Sequence, residues 1–346
     1  MGHSRGVPRV VLAVDGNAIV HRAFHSQATS GFRDADGRPM WAVRGLLAQL
    51  VAAVDRVDPD LVVVGFDDPA ASVRRERWPQ YKAQRPDKLD TLVDQLTAAA
   101  DVLCGLGLQV VVPDGLEADD VLASVAAQAP ALDATTVVMT SDRDAFGLID
   151  AHTRVLRIIN GGVEASPMLT SERLELMLGV RPEQYRDFAA LRGDPSDNLP
   201  GVKGFGPRTA ARLLAALGSV PAAFADLDAD GGRVVEAIGP ARAARLAEPA
   251  SRAAWDLNCQ VMTMHPHVAV DLSGEVGALP LPVEAVRATY SGQDLHWTTA
   301  AALRALARDG SGPVAPAVEP SWAPRPARRT HPPLPPRRAS DQLALF

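Results

Sequence analysis

The chain has 346 residues, 47% hydrophobic and 22% charged, enough to bury a sizeable core as two domains or one large domain with an appendage. No apolar run approaches the length of about 18 residues that a spanning helix needs, and the run Val10–Val14 stops at Asp15, too short for a secretory core, so no membrane partner is expected. The formal charge of -6 argues at face value against a polyanionic partner, although net charge misleads where acids and bases cluster apart; Cys104 and Cys259 are too few for a disulfide framework and are expected as core fillers.

Val10–Val14 reads as a buried strand closed by the turn signal Asp15-Gly16-Asn17, and 39–57 as an amphipathic helix. Leu61–Phe66 is a second buried strand, ending at Asp67. The polar stretch 69–88 then breaks the pattern, and between Arg74 and Lys88 it carries Arg74, Arg75, Arg77, Lys82, Arg85 and Lys88 against Glu76 and Asp87. Helical spacing over 89–106, a strand at 109–112, a helix at 117–128 and strands at 135–140 and 154–159 complete an alternation that predicts a mostly parallel sheet flanked by helices. Beyond about residue 165 helices dominate, at 172–178, 182–191, 207–217 and 241–262. The expected organisation is an α/β domain over 1–165, a helical domain over 166–309, and a disordered basic tail over 310–346, rich in Pro, Arg and Ala.

Acidic residues recur where predicted strands end: Asp15, Asp67, the trio Glu117, Asp119 and Asp120, then Asp142 and Asp144, with Asp194 and Asp197 in a turn-rich loop further on. In a doubly wound sheet the carboxyl ends of the strands line one crevice, so these side chains are expected to converge. Two unit charges about 4 Å apart repel by roughly 4 kcal/mol at an effective dielectric of 20, so such a gathering calls for cations. A donor set of carboxylates without His or Cys suits Mg²⁺ or Mn²⁺ rather than zinc, and two such ions suit in-line phosphodiester hydrolysis. Acids in a first helical turn also arise from the helix dipole alone, which explains Glu117–Asp120 in isolation equally well.

Val14-Asp-Gly-Asn17, His21-Arg-Ala-Phe24, Phe66-Asp67, Tyr81-Lys-Ala-Gln-Arg85, Glu117-Ala-Asp-Asp-Val121, Ser141-Asp-Arg-Asp144 and Gly193-Asp-Pro-Ser-Asp-Asn-Leu-Pro-Gly-Val-Lys-Gly-Phe-Gly-Pro-Arg-Thr-Ala210 occur in that order. The series closely resembles the 5′ nuclease (flap endonuclease) family, in particular the 5′→3′ exonuclease domain of bacterial DNA polymerase I. It spans roughly residues 9 to 300, with no polymerase module after it, so the chain resembles a free-standing version. The resemblance implies a PIN/5′-nuclease-like fold. It implies one metal at Asp15, Asp67, Glu117, Asp119 and Asp120, and a second held or oriented by Asp142, Asp144, Asp194 and Asp197. Ala145, Phe146 and Gly147 are smaller than the family's usual apolar residues, which puts local packing in question.

By the same resemblance 69–88 is a helical arch for a single-stranded 5′ end. Lys82, Arg85 and Arg22 are expected near the scissile phosphate, Arg74, Arg75 and Arg77 on the backbone, and Trp78 and Tyr81 as stacking faces. Residues 193–217 resemble a helix–hairpin–helix-type element in which Gly201, Gly204, Gly206, Lys203 and Arg208 grip duplex phosphates, with K⁺ at the hairpin. The implied partners are branched or nicked DNA with a 5′ end and RNA primer–DNA hybrids, in the cytoplasm at the nucleoid. The terminal Gln342, Leu343, Leu345 and Phe346 resemble a sliding-clamp-binding peptide on a tether. A PIN-like ribonuclease and a non-catalytic, clamp-tethered DNA-binding protein are the alternatives. A small-molecule phosphatase using an Asp nucleophile is disfavoured by Asn17, which stands where its second acid belongs.

Overall fold

The computed structural model describes residues 9–274 and 276–309. The tail peptide 342–346 and the expected disorder of 310–346 lie outside the described residues. Strands β1 (Arg9–Asp15), β2 (Leu61–Gly65), β3 (Gln109–Val111), β4 (Ala134–Thr140), β5 (Thr153–Arg157) and β6 (Met168–Leu169) form one sheet in the order β3-β2-β1-β4-β5-β6. The first five are parallel and β6 is antiparallel to β5. The expected class holds.

The central strands are apolar on both faces because helices cover both. Alternate residues of β1 serve opposite cores: Leu12 and Val14 pack with α1 (Gly16–Gln27), α2 (Trp41–Val57) and, beyond the short α3 (Val73–Arg77), α4 (Asp90–Leu106). Val11 and Ala13 face α5 (Ala118–Gln128). Strand order reverses direction between β1 and β4, the place where such sheets open a crevice at their carboxyl ends.

After the short α6 (Gly162–Ala165) the chain forms α7 (Ser171–Leu178) and α8 (Tyr185–Arg192), then a two-stranded hairpin of β7 (Gly193–Asp194) and β8 (Leu199–Pro200). The bundle continues through α9 (Pro207–Leu217), α10 (Val220–Ala229), α11 (Gly232–Ile238), α12 (Pro240–Leu246) and α13 (Pro249–Val261). The expected single helix over 241–262 is two, because Pro249 lacks the N–H a continuous helix needs and starts α13 instead. Among the described residues no single helix is long and apolar enough to cross a membrane.

The boundary near 165 separates two architectures, not two bodies. Leu213, Leu214 and Val220 of the helical part share one core with Val11, Leu122 and Phe146 of the sheet part. The chain then returns: α14 (Val283–Gly292) and α15 (His296–Leu306), absent from the sequence-based reading, pack with α4 and α2, and the buried Tyr290 hydroxyl donates to the Leu47 carbonyl at 3.1 Å. The cysteines also depart from expectation, since Cys104 is exposed and Cys259 only half-buried. Ala145 and Phe146 are fully buried, so their small size leaves the packing after Asp144 sound.

Candidate active site

The rim of the sheet at the β1/β4 reversal carries the acids. Asp15 closes β1 and caps α1; its Oδ1 accepts from the Ala18 N–H at 2.8 Å and its Oδ2 from the Thr140 hydroxyl at 2.7 Å. Thr140 Oγ1 also accepts from the Asp142 N–H at 2.9 Å, so one buried hydroxyl ties two acids together across adjacent strands. Asp67 follows β2, accepts from Ala118 N–H at 3.0 Å, and exchanges a reciprocal pair of hydrogen bonds with the Asn17 side chain. The carboxylate oxygens of Asp144, Asp194 and Asp197 lie within 4.8 Å of one another.

Burial, with neighbouring negative charge behind it, pushes Asp15, Asp67, Asp119, Asp144 and Asp197 toward their protonated forms. Asp15 is raised to about 7 by burial, despite its two hydrogen bonds, with Asp67 and Asp142 adding to the rise. Asp144 is raised to about 8 by burial and then by Asp142, Asp194 and Asp197. Asp119 is held well above the usual range by burial and then by Asp15, Asp142 and Asp144. Asp67 and Asp197 shift the same way, burial first. The donor set is oxygen only and nearly all carboxylate, which fits hard divalent cations: Asp144, Asp194 and Asp197 as one group, Asp15, Asp67, Asp119 and Asp142 beside it.

Asp120 does not belong to that set. It is fully buried and forms a bidentate pair with Arg74, both contacts at 2.7 Å, while its oxygens also accept from Glu117 N–H at 3.0 Å and His265 N–H at 2.7 Å. Burial raises its pKa, but the Arg74 pair outweighs that and the net shift is downward. With every lone pair direction engaged, it is a structural anion. The geometry corrects Arg74 with it: the buried guanidinium further donates to the Val261 and Thr263 carbonyls at 3.2 and 3.0 Å, leaving nothing for DNA.

Nor is 69–88 a helical arch. Only α3 is helical; the rest folds in turns over the acids. Lys82 Nζ donates to Glu117 Oε1 at 2.8 Å, its backbone N–H donates to the Asp197 carbonyl at 3.0 Å, and its φ of 56° places it in the left-handed region. Arg85 pairs with Asp197 and donates to the Ser196 carbonyl. Tyr81 and Trp78 are not free stacking faces: Tyr81 is buried with its hydroxyl donating to Glu117 at 3.1 Å, and Trp78 packs beside it against Leu199 and Val261. Both dock the basic segment on the helical part. Glu117 itself accepts from Lys82, Tyr81 and Arg74.

Arg75 and Arg77 are exposed, Arg77 lying over the Trp78 ring, and Lys88 reaches within 4.0 Å of Asp67. Arg22 is half-buried and donates to Asn160 at 2.8 Å. Next to it His21 is lowered to about 4 by burial and then by Lys88, His25 and Arg85. In the hairpin Lys203, Gly204, Gly206 and Arg208 are exposed at the start of α9, and Gly204 has φ 89°. Gly201 is different: a Cβ there would stand 2.1 Å from the Arg192 carbonyl oxygen, so glycine is required by chain crossing rather than phosphate approach. Asn17 and Thr140 were not identified as site residues from sequence. Each lies two residues from an acid of a quoted motif, but only pairing across strands shows what it holds.

A doubly wound sheet whose reversal point gathers carboxylates, covered by a basic segment and joined to a helical hairpin module, defines a class of α/β proteins with an acidic centre able to hold a metal ion. Two family models match the chain in succession: the 5′-3′ exonuclease N-terminal resolvase-like domain over residues 10–176, and the 5′-3′ exonuclease C-terminal SAM fold over residues 180–279. DNA polymerase I of Mycobacterium tuberculosis is 37% identical over 234 residues, which are 68% of this chain and 26% of that protein. The thermostable DNA polymerase I of Thermus aquaticus is 38% identical over 218 residues, 63% of this chain and 25% of that protein. The chain thus spans about a quarter of the length of these curated relatives. Among solved structures, the T5 D15 protein co-crystallised with metal ions has a TM-score of 0.61 at 18% identity, covering 86% of this chain and all of that one. The catalytic core of Rad2 in complex with DNA substrate has a TM-score of 0.53 at 18% identity, covering 86% of this chain and 92% of that one. At such identity the structural likeness carries the fold. The chain belongs to the 5′-3′ exonuclease family.

Two outcomes follow from the geometry. Arg74→Ala leaves Asp120 as an unpaired buried charge and is expected to cost about 3–5 kcal/mol of stability in urea titration; unchanged stability with weakened DNA binding would return Arg74 to the DNA-contact set. In the cation-free protein the raised acids bind more protons folded than unfolded, so stability should fall as pH rises from about 4 toward 8. Asp120, with its depressed pKa, contributes the opposite slope at lower pH, and His21, lowered to about 4, offsets part of the fall below its ordinary value. A saturating divalent cation should flatten the fall, as read by melting temperature across pH.

Proposed function

We propose that the chain is a divalent-cation-dependent 5′→3′ exonuclease and flap endonuclease acting on branched or nicked DNA. The carrying observation is the convergence of Asp144, Asp194 and Asp197 beside Asp15, Asp119 and Asp142, beneath a segment whose Lys82 and Arg85 reach into the same centre. The metal ions bound to the T5 protein and the DNA bound to Rad2 support the reading. Mg²⁺ or Mn²⁺ held as two ions by the carboxylates would activate water and stabilise the leaving oxygen.

The protein's own groups set the geometry for that chemistry. Thr140 and Asn17 hold Asp15, Asp142 and Asp67 in fixed orientations, so little reorganisation is needed at the moment of reaction. Lys82 and Arg85, exchanging Glu117 and Asp197 for phosphate oxygens, would place positive charge at the scissile group. The exposed Lys203 and Arg208, with Gly204 and Gly206 at the α9 N-terminus, would hold duplex phosphates, with K⁺ at the hairpin. RNA primer–DNA hybrids, a cytoplasmic, nucleoid-associated location and docking of Gln342, Leu343, Leu345 and Phe346 on the sliding clamp complete the proposal.

Asp142→Ala or Asp67→Ala should lower cleavage of a 5′-labelled flap by at least about 100-fold while leaving flap binding measurable; EDTA should abolish release of short 5′ products from the wild type. Wild-type rates in either variant would remove that residue from the centre. Deleting 342–346 should abolish co-elution with the clamp and spare nuclease activity, and undiminished co-elution would refute the docking assignment.

A further inference from the structure

The cations around the acid centre fall into two sets. Arg74, Lys82, Arg85 and Lys88 follow β2 in the chain, and each already lies within 4.0 Å of an acid. Arg157 ends β5, beyond the β1/β4 reversal, Arg143 follows β4 and Arg192 ends α8, and none of the three makes an ion pair among the described residues.

Arg157 and Arg192 cap the two ends of one buried row of rings. Arg157 lies over the Phe146 ring at 5.6 Å; Phe146 stacks against Tyr185 at 5.4 Å and Tyr185 against Phe188 at 6.0 Å. Arg192 caps the far end, over Phe188 at 5.1 Å. Arg143, between Asp142 and Asp144 in the chain, acts electrostatically on both Tyr185 and Arg157. The Arg157 Nε is buried without a hydrogen-bond partner, although the residue as a whole is half-exposed. Guanidinium groups stay charged, so each one without an ion pair is a standing site for an anion. Asp142 and Asp144 are the nearest candidates, but those carboxylates are committed once divalent cations occupy the centre. The trio is then left without a counterion from the protein.

Resting on the functional reading above, we propose that Arg143, Arg157 and Arg192 form a second phosphate-binding wall, holding the DNA backbone where it continues past the acid centre on the β5 side. Its ligand is a run of phosphodiesters rather than a single phosphate, because cations at opposite ends of a row of rings match a strand and not one point. The wall also divides labour: the segment after β2 balances the acids in the free protein, while the flank at β5 keeps its charge available for DNA.

The test uses the full chain carrying Asp67→Ala to suppress cleavage, and reads flap-DNA affinity by fluorescence anisotropy over a range of salt concentrations. Adding Arg157→Gln and Arg192→Gln should flatten the log–log salt slope by about 1.4–1.8, at about 0.7–0.9 per lost phosphate contact. Mn²⁺ affinity by calorimetry should be unchanged. Arg157→Lys with Arg192→Lys should keep the parent slope. A Gln variant with the parent slope would overturn the wall, as would a Lys variant that loses as much as the Gln variant, since packing rather than charge would then be at work. If the Asp67→Ala parent itself fails to bind flap DNA, both this proposal and the functional reading fall; loss confined to the comparison of variants sinks the wall alone.

Discussion

The structure turns on how a group of buried and half-buried carboxylates is allowed to exist. Burial first, and then the charge of neighbouring acids, favours protons over ionisation at Asp15, Asp119 and Asp144 near neutral pH. Four cations offset the remainder. Arg74 neutralises Asp120, Lys82 reaches Glu117, Arg85 reaches Asp197, and Lys88 approaches Asp67. Since all four come from one short segment after β2, that segment is folded onto the centre by the charges it offsets.

The same interactions join the two architectures. Arg74 bonds Asp120 on α5 and the Val261 and Thr263 carbonyls after α13, so one guanidinium touches the basic segment, the sheet part and the helical part. Asn258 extends the connection, donating to the Ala190 and Pro200 carbonyls at 2.9 and 3.0 Å and so fixing α8 and the hairpin that carries Asp194. Losing the buried pair would therefore disturb the position of ligands far from it in sequence. Stability and site geometry are one problem here.

Function follows from the contrast between engaged and free charge. A cation that already holds a carboxylate reaches a phosphate only by exchanging partners, whereas one without a partner offers its field at once. Lys82, held in a left-handed backbone conformation by the Asp197 carbonyl, is placed for such an exchange at the centre itself. Among the described residues Arg143, Arg157 and Arg192 have no such partner. The asymmetry gives an extended strand two different grips on either side of the carboxylates.

Much was legible in the chain. Val10–Val14 and Leu61–Gly65 announce buried parallel strands because both faces need apolar cover, and the acids at their ends mark the crevice because a parallel sheet brings its carboxyl ends to one rim. Composition and motif order named the ligand types and the family. What the sequence alone could not settle was which charges meet. Asp120 and Asp119 are adjacent in the chain, yet one is sealed by Arg74 and the other faces the centre, since successive residues of a helix point about 100° apart. Arg74 looked like its basic neighbours until burial separated it from them, and α14 and α15 had no local signal for the face they cover. Identity and spacing reside in the one-dimensional chain; pairing, burial and availability arise only when segments distant in sequence are packed together.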